Sequence, residues 1–360
     1  MGVINPKILV FSDTHLGSLD SERDLLIQFL RKIINGEFGN ELQAVIILGD
    51  FIDLCTDTPE TLLRRAKIQE IFNLLLEIKK QKSVIYVLGN HEIPITGDYD
   101  KKFQRRKKKF SIKFENSNFN DLFDIDFFSQ YILLKKYNNE DMLLLYDSRD
   151  QIENTPSKKV RIEGLDLDSD YTCLMTHGYQ FESDIFRFFV GQTWKSMISS
   201  NNFEIKETFD YFWNEIIKND RKIKPITFEQ MKQELATLKN MSIESIDTLF
   251  SELSNFEFKL IKANARIMKR WERAKKLDYY FEEIQEFLED DDYDFSEVNH
   301  LIYGHTHNKG VYNGMINGHP IEIVNDGSWQ HVQPSYVEIL YKGVLNLRAV
   351  FNNVNSSLLY

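Results

Sequence analysis

Along the N-terminal quarter of the chain the apolar positions switch between unbroken runs and a helical spacing. Lys7–Ser12 is a short apolar run that closes on polar residues. Ser21–Ile34 then carries Leu25, Leu26, Phe29, Leu30 and Ile33 on one helical face. Ala44–Leu48 is a second apolar run, and Pro59–Lys80 repeats the helical period through Ile68, Ile71, Phe72, Leu75 and Ile78. Ser83–Leu88 is a third run. A β-α-β-α-β series of this kind argues for a largely parallel sheet packed by helices. Ligands of such sheets bind beyond the carboxyl ends of the strands.

Further strand-like runs come at Tyr171–Thr176 and at Leu301–Tyr303. Between them, from about residue 184 to 298, strand signals vanish. Phe256, Leu260, Ile267, Trp271, Ile284 and Leu288 recur at helical spacing instead. The expected organisation is therefore one domain from residues 1–183 and 299–360, interrupted by a helical insertion over 184–298. The insertion lies where a lid would lie. The tail from Gly310 to Phe351 returns to β signals, with Gly310, Gly314, Gly318, Gly327 and Gly343 read as turns.

Composition narrows the class. The chain has 360 residues, of which 42% are hydrophobic, enough for a substantial core. Its net charge of −11 does not advertise nucleic acid over the whole surface. The two cysteines, Cys55 and Cys173, form neither a metal-binding pair nor a disulfide framework, which fits a reducing cytoplasm. No signal-peptide anatomy opens the chain, and no run approaches the ~18 apolar residues of a membrane span. Peripheral membrane binding stays open.

Five short motifs carry the chemistry. They are Asp13-Thr14-His15, Gly49-Asp50-Phe51-Ile52-Asp53, Gly89-Asn90-His91-Glu92, Thr176-His177-Gly178 and Gly304-His305-Thr306-His307. Each follows a predicted strand. Residues i and i+2 at a strand end point the same way, so Asp13 with His15, or His305 with His307, can give one metal two ligands. Asp50 has two oxygens and can bridge two ions about 3.5–4 Å apart. Asp53, one helical turn on, reads as a supporting carboxylate or a helix cap. Asn90 offers a neutral oxygen. His91 is left for proton transfer, with Glu92 beside it to accept from its other ring nitrogen. His300, His319 and His331 read as surface or hydrogen-bonded residues. Carboxylate, amide and imidazole donors together suit two divalent ions, Mn²⁺ foremost, with Fe²⁺, Co²⁺, Ni²⁺ and Zn²⁺ also accommodated.

This ordered series resembles the calcineurin-like metallophosphoesterases. The resemblance covers residues 7–178 and 300–328. It implies an α/β sandwich of two packed mixed sheets flanked by helices, with the metals at one edge. It implies one metal held by Asp13, His15, Asp50 and His307, and a second held by Asp50, Asn90, His177 and His305. It makes His91 the general acid and Glu92 its orienting carboxylate. The implied reaction is hydrolysis of a phosphomonoester, phosphodiester or pyrophosphate bond, with a water or hydroxide between the metals attacking phosphorus in line.

The substrate leaves a weaker imprint. Lys101, Lys102, Arg105, Arg106, Lys107, Lys108 and Lys109 form a basic run in an acidic chain. Such a run suits a polyphosphate, a nucleotide or an anionic lipid headgroup. With the helical insertion, it looks most like the UDP-diacylglucosamine pyrophosphatase branch of the family. A nuclease similar to the DNA-repair exonucleases is a second enzymatic reading, in which the basic run grips the backbone. A third is a non-catalytic metal-binding scaffold like the retromer subunit. Such scaffolds tend to lose ligands or the catalytic histidine, and this chain keeps them all.

Overall fold

The computed structural model describes residues 5–18, 20–53, 62, 64–92, 113–114, 117–118, 129–146, 155–181, 242, 277–289, 295–316, 318–330 and 334–350. The basic run and nearly all of the 184–298 segment lie outside the described residues. The chain divides into two compact units. One comprises Met1–Thr96, Gln104–Phe181 and Glu282–Tyr360, and the other Gly97–Phe103 and Glu182–Phe281. The fold and site described below belong to the first, except that the start of the helix Leu277–Leu288 lies in the second.

Three parallel strands, β1 (Ile8–Phe11), β2 (Ala44–Leu48) and β3 (Ser83–Val87), lie side by side, with Val10 opposite Ile46 and Ile46 opposite Ile85. Every residue of β1 and β2 is buried, which is why both read as unbroken apolar runs. Parallel neighbours need a crossover, supplied here by α1 (Arg23–Ile34) and α2 (Ala66–Lys79), which pack on each other. Within the run expected to be helical over Pro59–Lys80, Arg65 is extended (ψ 123°) and breaks the helix, so that α2 starts at Ala66, while Leu62 on the other side of the break is helical.

Residues 113–146 and beyond add β4 (Lys113–Phe114), β5 (Ser117–Asn118), β6 (Tyr131–Tyr137), β7 (Glu140–Tyr146) and β8 (Lys158–Arg161). Strand–helix alternation did not anticipate them. β6 and β7 form a hairpin whose turn residues, Asn138 and Asn139, both have positive φ (54° and 65°). Asparagine tolerates that conformation, and a two-residue turn of this hand matches the strand twist. β9 (Thr172–Thr176) pairs antiparallel with β6 and parallel with β10 (His300–Tyr303).

α3 (Leu277–Leu288) precedes β10, and the hairpin of β11 (Gly310–Ile316) and β12 (His319–Asn325) follows it. β13 (Ser335–Ile339) and β14 (Leu345–Ala349) return to β1. Gly318, Gly327 and Gly343 lie in turns with positive φ, as expected. Gly310 and Gly314 do not: both sit inside β11, paired with Asn325 and Ile321. An edge strand accepts a residue without a side chain where a central strand would lose packing.

The result is two mixed sheets, β14-β13-β1-β2-β3 and β11-β12-β10-β9-β6-β7-β8. Ile132, Leu134, Leu143, Met175 and Ile302 from the second join the β1–β3 side chains in one continuous core. At about 1.5–3 kcal/mol for each fully buried large apolar side chain, this layer dominates the favourable side of folding. Phe11, Phe29 and Trp329 close one side of it, with ring centroids 5.2–5.7 Å apart. Among the described residues, no helix is long and apolar enough to cross a membrane.

Candidate active site

The carboxyl ends of β1, β2 and β3 in one sheet and of β9 and β10 in the other each lead into one of the five motifs. The turns there are unusual. Asp13, His15, Asp50, His305 and His307 all have φ between 44° and 64°. Residues with a Cβ pay roughly 1–2 kcal/mol for that left-handed conformation. The i, i+2 pairs therefore converge through kinked turns rather than extended strand ends. Backbone bonds hold the kinks. The Asp13 N–H donates to Gly49 O at 3.0 Å, His15 N–H to Asp50 O at 2.8 Å, and Gly304 N–H to His177 O at 3.0 Å.

Asp13, His15 and His307 form one cluster of potential metal ligands. His307 Nε2 lies 3.1 Å from Asp13 Oδ1 and 3.1 Å from His15 Nε2. His15 Nε2 is 3.6 Å from the same Asp13 oxygen. Asp13 Oδ1 is buried and, among the described residues, accepts no hydrogen bond of ordinary geometry. An orphaned carboxylate oxygen facing two imidazole nitrogens is a donor set for a divalent cation.

Asp50, His177 and His305 form a second cluster. The His177 Nδ1–H donates to Leu48 O at 2.8 Å, which turns Nε2 inward. There it meets Asp50 Oδ2 and Asn90 Oδ1, each at 3.2 Å. Asp50 Oδ2 is also 3.8 Å from His15 Nε2, so a single oxygen faces both clusters. Its partner Oδ1 is tied down by the His91 N–H at 2.8 Å.

Electrostatics follow from this crowding. Burial alone would raise the Asp13 and Asp50 carboxyls, but His177 and the other imidazoles hold both well below the ordinary range. Burial would lower His177, yet Asp50 and Asp13 carry it up to about 10. Burial and the His91 charge take His15 down to about 4, leaving it neutral and ready to donate a lone pair.

His91 and Glu92 sit in a short 3-10 turn after β3, and both are buried. The expected pairing of the two is not what forms. His91 Nδ1 is 2.9 Å from Asp53 Oδ1. Glu92 instead takes the backbone N–H groups of Gly89 (2.8 Å), Ile52 (2.9 Å) and Asp50 (3.0 Å). Adjacent residues of so tight a turn project to different sides, so one side chain meets the site while the other braces the two loops. Burial and the Asp50 charge push the Glu92 carboxyl up to about 7. His91 Nε2 is left 3.8 Å from Asp50 Oδ2, beside the clusters.

Three glycines make room for this. A Cβ on Gly49 would strike the His177 ring, one on Gly89 would strike Asp50, and one on Gly304 would strike Ser12 and Asp13. Each of these three glycines thus admits a ligand from a different motif. Ser12, Asn325 and Asp326 also border the site and carried no motif signal. Asn325 Nδ2 donates to Gly304 O at 2.8 Å and to Thr306 Oγ1 at 3.0 Å, holding the fifth turn. His300, set aside as a ligand, stacks on Tyr171 with ring centroids 4.3 Å apart. Lys101, Lys102, Arg105 and Arg106 lie outside the described residues.

A family model described as calcineurin-like phosphoesterase matches residues 6–309. Among solved structures, the chain is similar to a crystal structure of a dimetal phosphatase from Danio rerio. The two are 11% identical, with a TM-score of 0.38, and the match covers 96% of each chain. No curated protein matches the chain.

Proposed function

The chain belongs to the calcineurin-like phosphoesterase family, and on that premise we propose that it hydrolyses a phosphoester bond at a dinuclear metal site. In this reading Asp13, His15, Asp50 and His307 hold one divalent ion. Asp50, Asn90, His177 and His305 hold the other. The donors are hard and borderline, which suits Mn²⁺ first and Fe²⁺, Co²⁺, Ni²⁺ or Zn²⁺ as alternatives. Bound there, two such ions would supply Lewis acidity to the phosphoryl oxygens and would lower the pKa of a water molecule in the site.

The protein's own groups do the rest. Asp50 keeps the two clusters in register through Oδ2. Leu48 O fixes the His177 tautomer by accepting from Nδ1. His91, with Asp53 against Nδ1, can present a proton at Nε2 to the leaving oxygen, because the carboxylate stabilises the imidazolium. Glu92 holds the Gly49–Ile52 and Gly89–His91 backbones together, so that Asp50 and His91 meet at a fixed angle.

The observation that carries this reading is the single oxygen, Asp50 Oδ2, facing both clusters. Asp50→Asn should lower the Mn²⁺ content of the purified protein and abolish hydrolysis of bis-p-nitrophenyl phosphate. Near-normal turnover in that variant would rule the dinuclear reading out. A parallel screen of a monoester, a diester, a nucleoside-diphosphate sugar and single-stranded DNA with Mn²⁺ would identify the bond type. Residues 184–298 fit a separate helical insertion between the fourth and fifth motifs, a reading supported by the change of periodicity there.

A further inference from the structure

The dinuclear reading leaves a buried acid beside the site without a part. Asp326 follows β12, is fully buried, and belongs to neither ligand cluster. Its Oδ1 lies 2.6 Å from Ser12 Oγ. Ser12 Oγ is also hydrogen-bonded to Asp13 Oδ2. That Asp13 oxygen accepts the His305 N–H as well, at 2.8 Å. One hydroxyl therefore stands between two carboxyl groups.

Serine has a single proton to donate. If both carboxyls were ionised, one of the two contacts would set lone pair against lone pair. The three groups close into a chain of hydrogen bonds when one acid keeps its proton. Asp13 is the poorer candidate, since Oδ2 already accepts a backbone N–H and Oδ1 faces two imidazoles. Asp326 is the better one. Its other oxygen, Oδ2, is buried and accepts no hydrogen bond among the described residues, a costly setting for a charge. Burial and then the Asp13 charge push its carboxyl well above the usual range, in the same direction. Asp326 is itself held at both ends of its backbone. Its N–H donates to Tyr303 O at 3.0 Å, and its carbonyl accepts from Ser335 Oγ at 2.5 Å.

We infer that Asp326 is a positioning residue for Asp13: it donates a hydrogen bond to Ser12, Ser12 donates to Asp13 Oδ2, and the carboxylate is thereby fixed with Oδ1 toward His15 and His307. Gly304 completes the arrangement, because a side chain there would displace Ser12 and Asp13 together. The inference rests on the proposed metal site at Asp13. Its readout is metal affinity, not turnover.

The test is a calorimetric titration of the metal-stripped full chain with Mn²⁺, run on wild type, Ser12→Ala, Asp326→Asn and Asp326→Ala, with thermal melts as a check on folding. Wild type should take up two ions. Ser12→Ala and Asp326→Ala should weaken one of the two by about 10-fold or more, the usual effect of removing a group that orients a ligand, and leave the other unchanged. Asp326→Asn should stay within about 2-fold of wild type, because its amide N–H replaces the acid O–H as donor to Ser12. Should Asp326→Ala fail to fold, Ser12→Ala against Asp326→Asn carries the comparison. Two wild-type affinities in the alanine variants, or equal losses in Asp326→Asn and Asp326→Ala, would overturn the inference alone. A wild type that binds no Mn²⁺ would remove the metal reading, and this inference with it.

Discussion

Asp53 Oδ1 lies 2.9 Å from His91 Nδ1, and both side chains are buried. The contact joins the turn after β2 to the turn after β3. Asp53 stands three residues beyond Asp50, and the left-handed Asp50 (φ 48°) brings the chain back toward the third turn. A carboxylate on Nδ1 settles where that nitrogen's proton points and leaves Nε2 directed at the site.

This geometry separates two roles for His91. If it acts on the leaving group, His91→Ala should slow esters with poor leaving groups by about 10²-fold or more and nitrophenyl esters far less. Asp53→Asn should show the same leaving-group dependence with a smaller loss, about 10-fold, because a neutral amide keeps a contact to Nδ1 but no longer stabilises the imidazolium. The Mn²⁺ content of both variants should match wild type. Steady-state kinetics over a series of aryl and alkyl esters would check this. Equal losses across the series would assign His91 to stabilising phosphoryl charge.

The aromatic wall behind the first turn makes a stability prediction. Phe29 is buried, packs edge-on against Phe11 at 5.7 Å, and lies 5.2 Å from Trp329. Trp329 in turn donates its backbone N–H to Asp13 O at 3.0 Å. Phe29→Ala should cost about 3–5 kcal/mol by leaving a cavity among large rings. Denaturant unfolding would measure the loss. A change below about 1 kcal/mol would mean that the wall collapses into the space.

The parallel half of the fold was legible because its physics is periodic. Strands buried on both faces read as apolar runs, and α1 and α2 show one apolar stripe each. The β6–β7 hairpin was missed although Asn138-Asn139, between two apolar runs, is a turn signal in its own right. The five motifs meet in space because they occupy five strand ends. The partner of His91 is Asp53 and not the neighbouring Glu92. Glu92 is adjacent in sequence, but adjacency says nothing about which way a tight turn projects its side chains. Ser12 and Asp326 gave no signal, because a lone serine and a lone aspartate more than three hundred residues apart have no spacing to read.

Cys173 supplies a chemical check on the second sheet. It lies in β9, fully buried, and burial pushes its thiol far above the ordinary range. The thiolate is the reactive form, so the native side chain should be inert. In a Cys55→Ser background, a thiol reagent at pH 8 should find no rapidly reacting group in the folded chain and one group after denaturation. Rapid reaction in the native state would mean that β9 opens readily.

Gly89→Ala tests whether the site depends on close approach between motifs. Gly89 does not have the positive φ of Gly49, so alanine imposes no backbone penalty there. Its methyl group would instead collide with the Asp50 side chain and backbone N. The Gly89 N–H to Glu92 hydrogen bond, at 2.8 Å, would be disturbed along with it. Asp50 must then move, and in moving it disturbs the Oδ2 contacts that face both ligand clusters. Metal content should fall toward that of Asp50→Asn, while far-ultraviolet circular dichroism stays near wild type. Turnover should fall with metal content and recover in part at high Mn²⁺ concentration, since displacement weakens a ligand without removing it. A Gly89→Ala protein with full metal content and full activity would show that Asp50 does not need the approach that glycine permits.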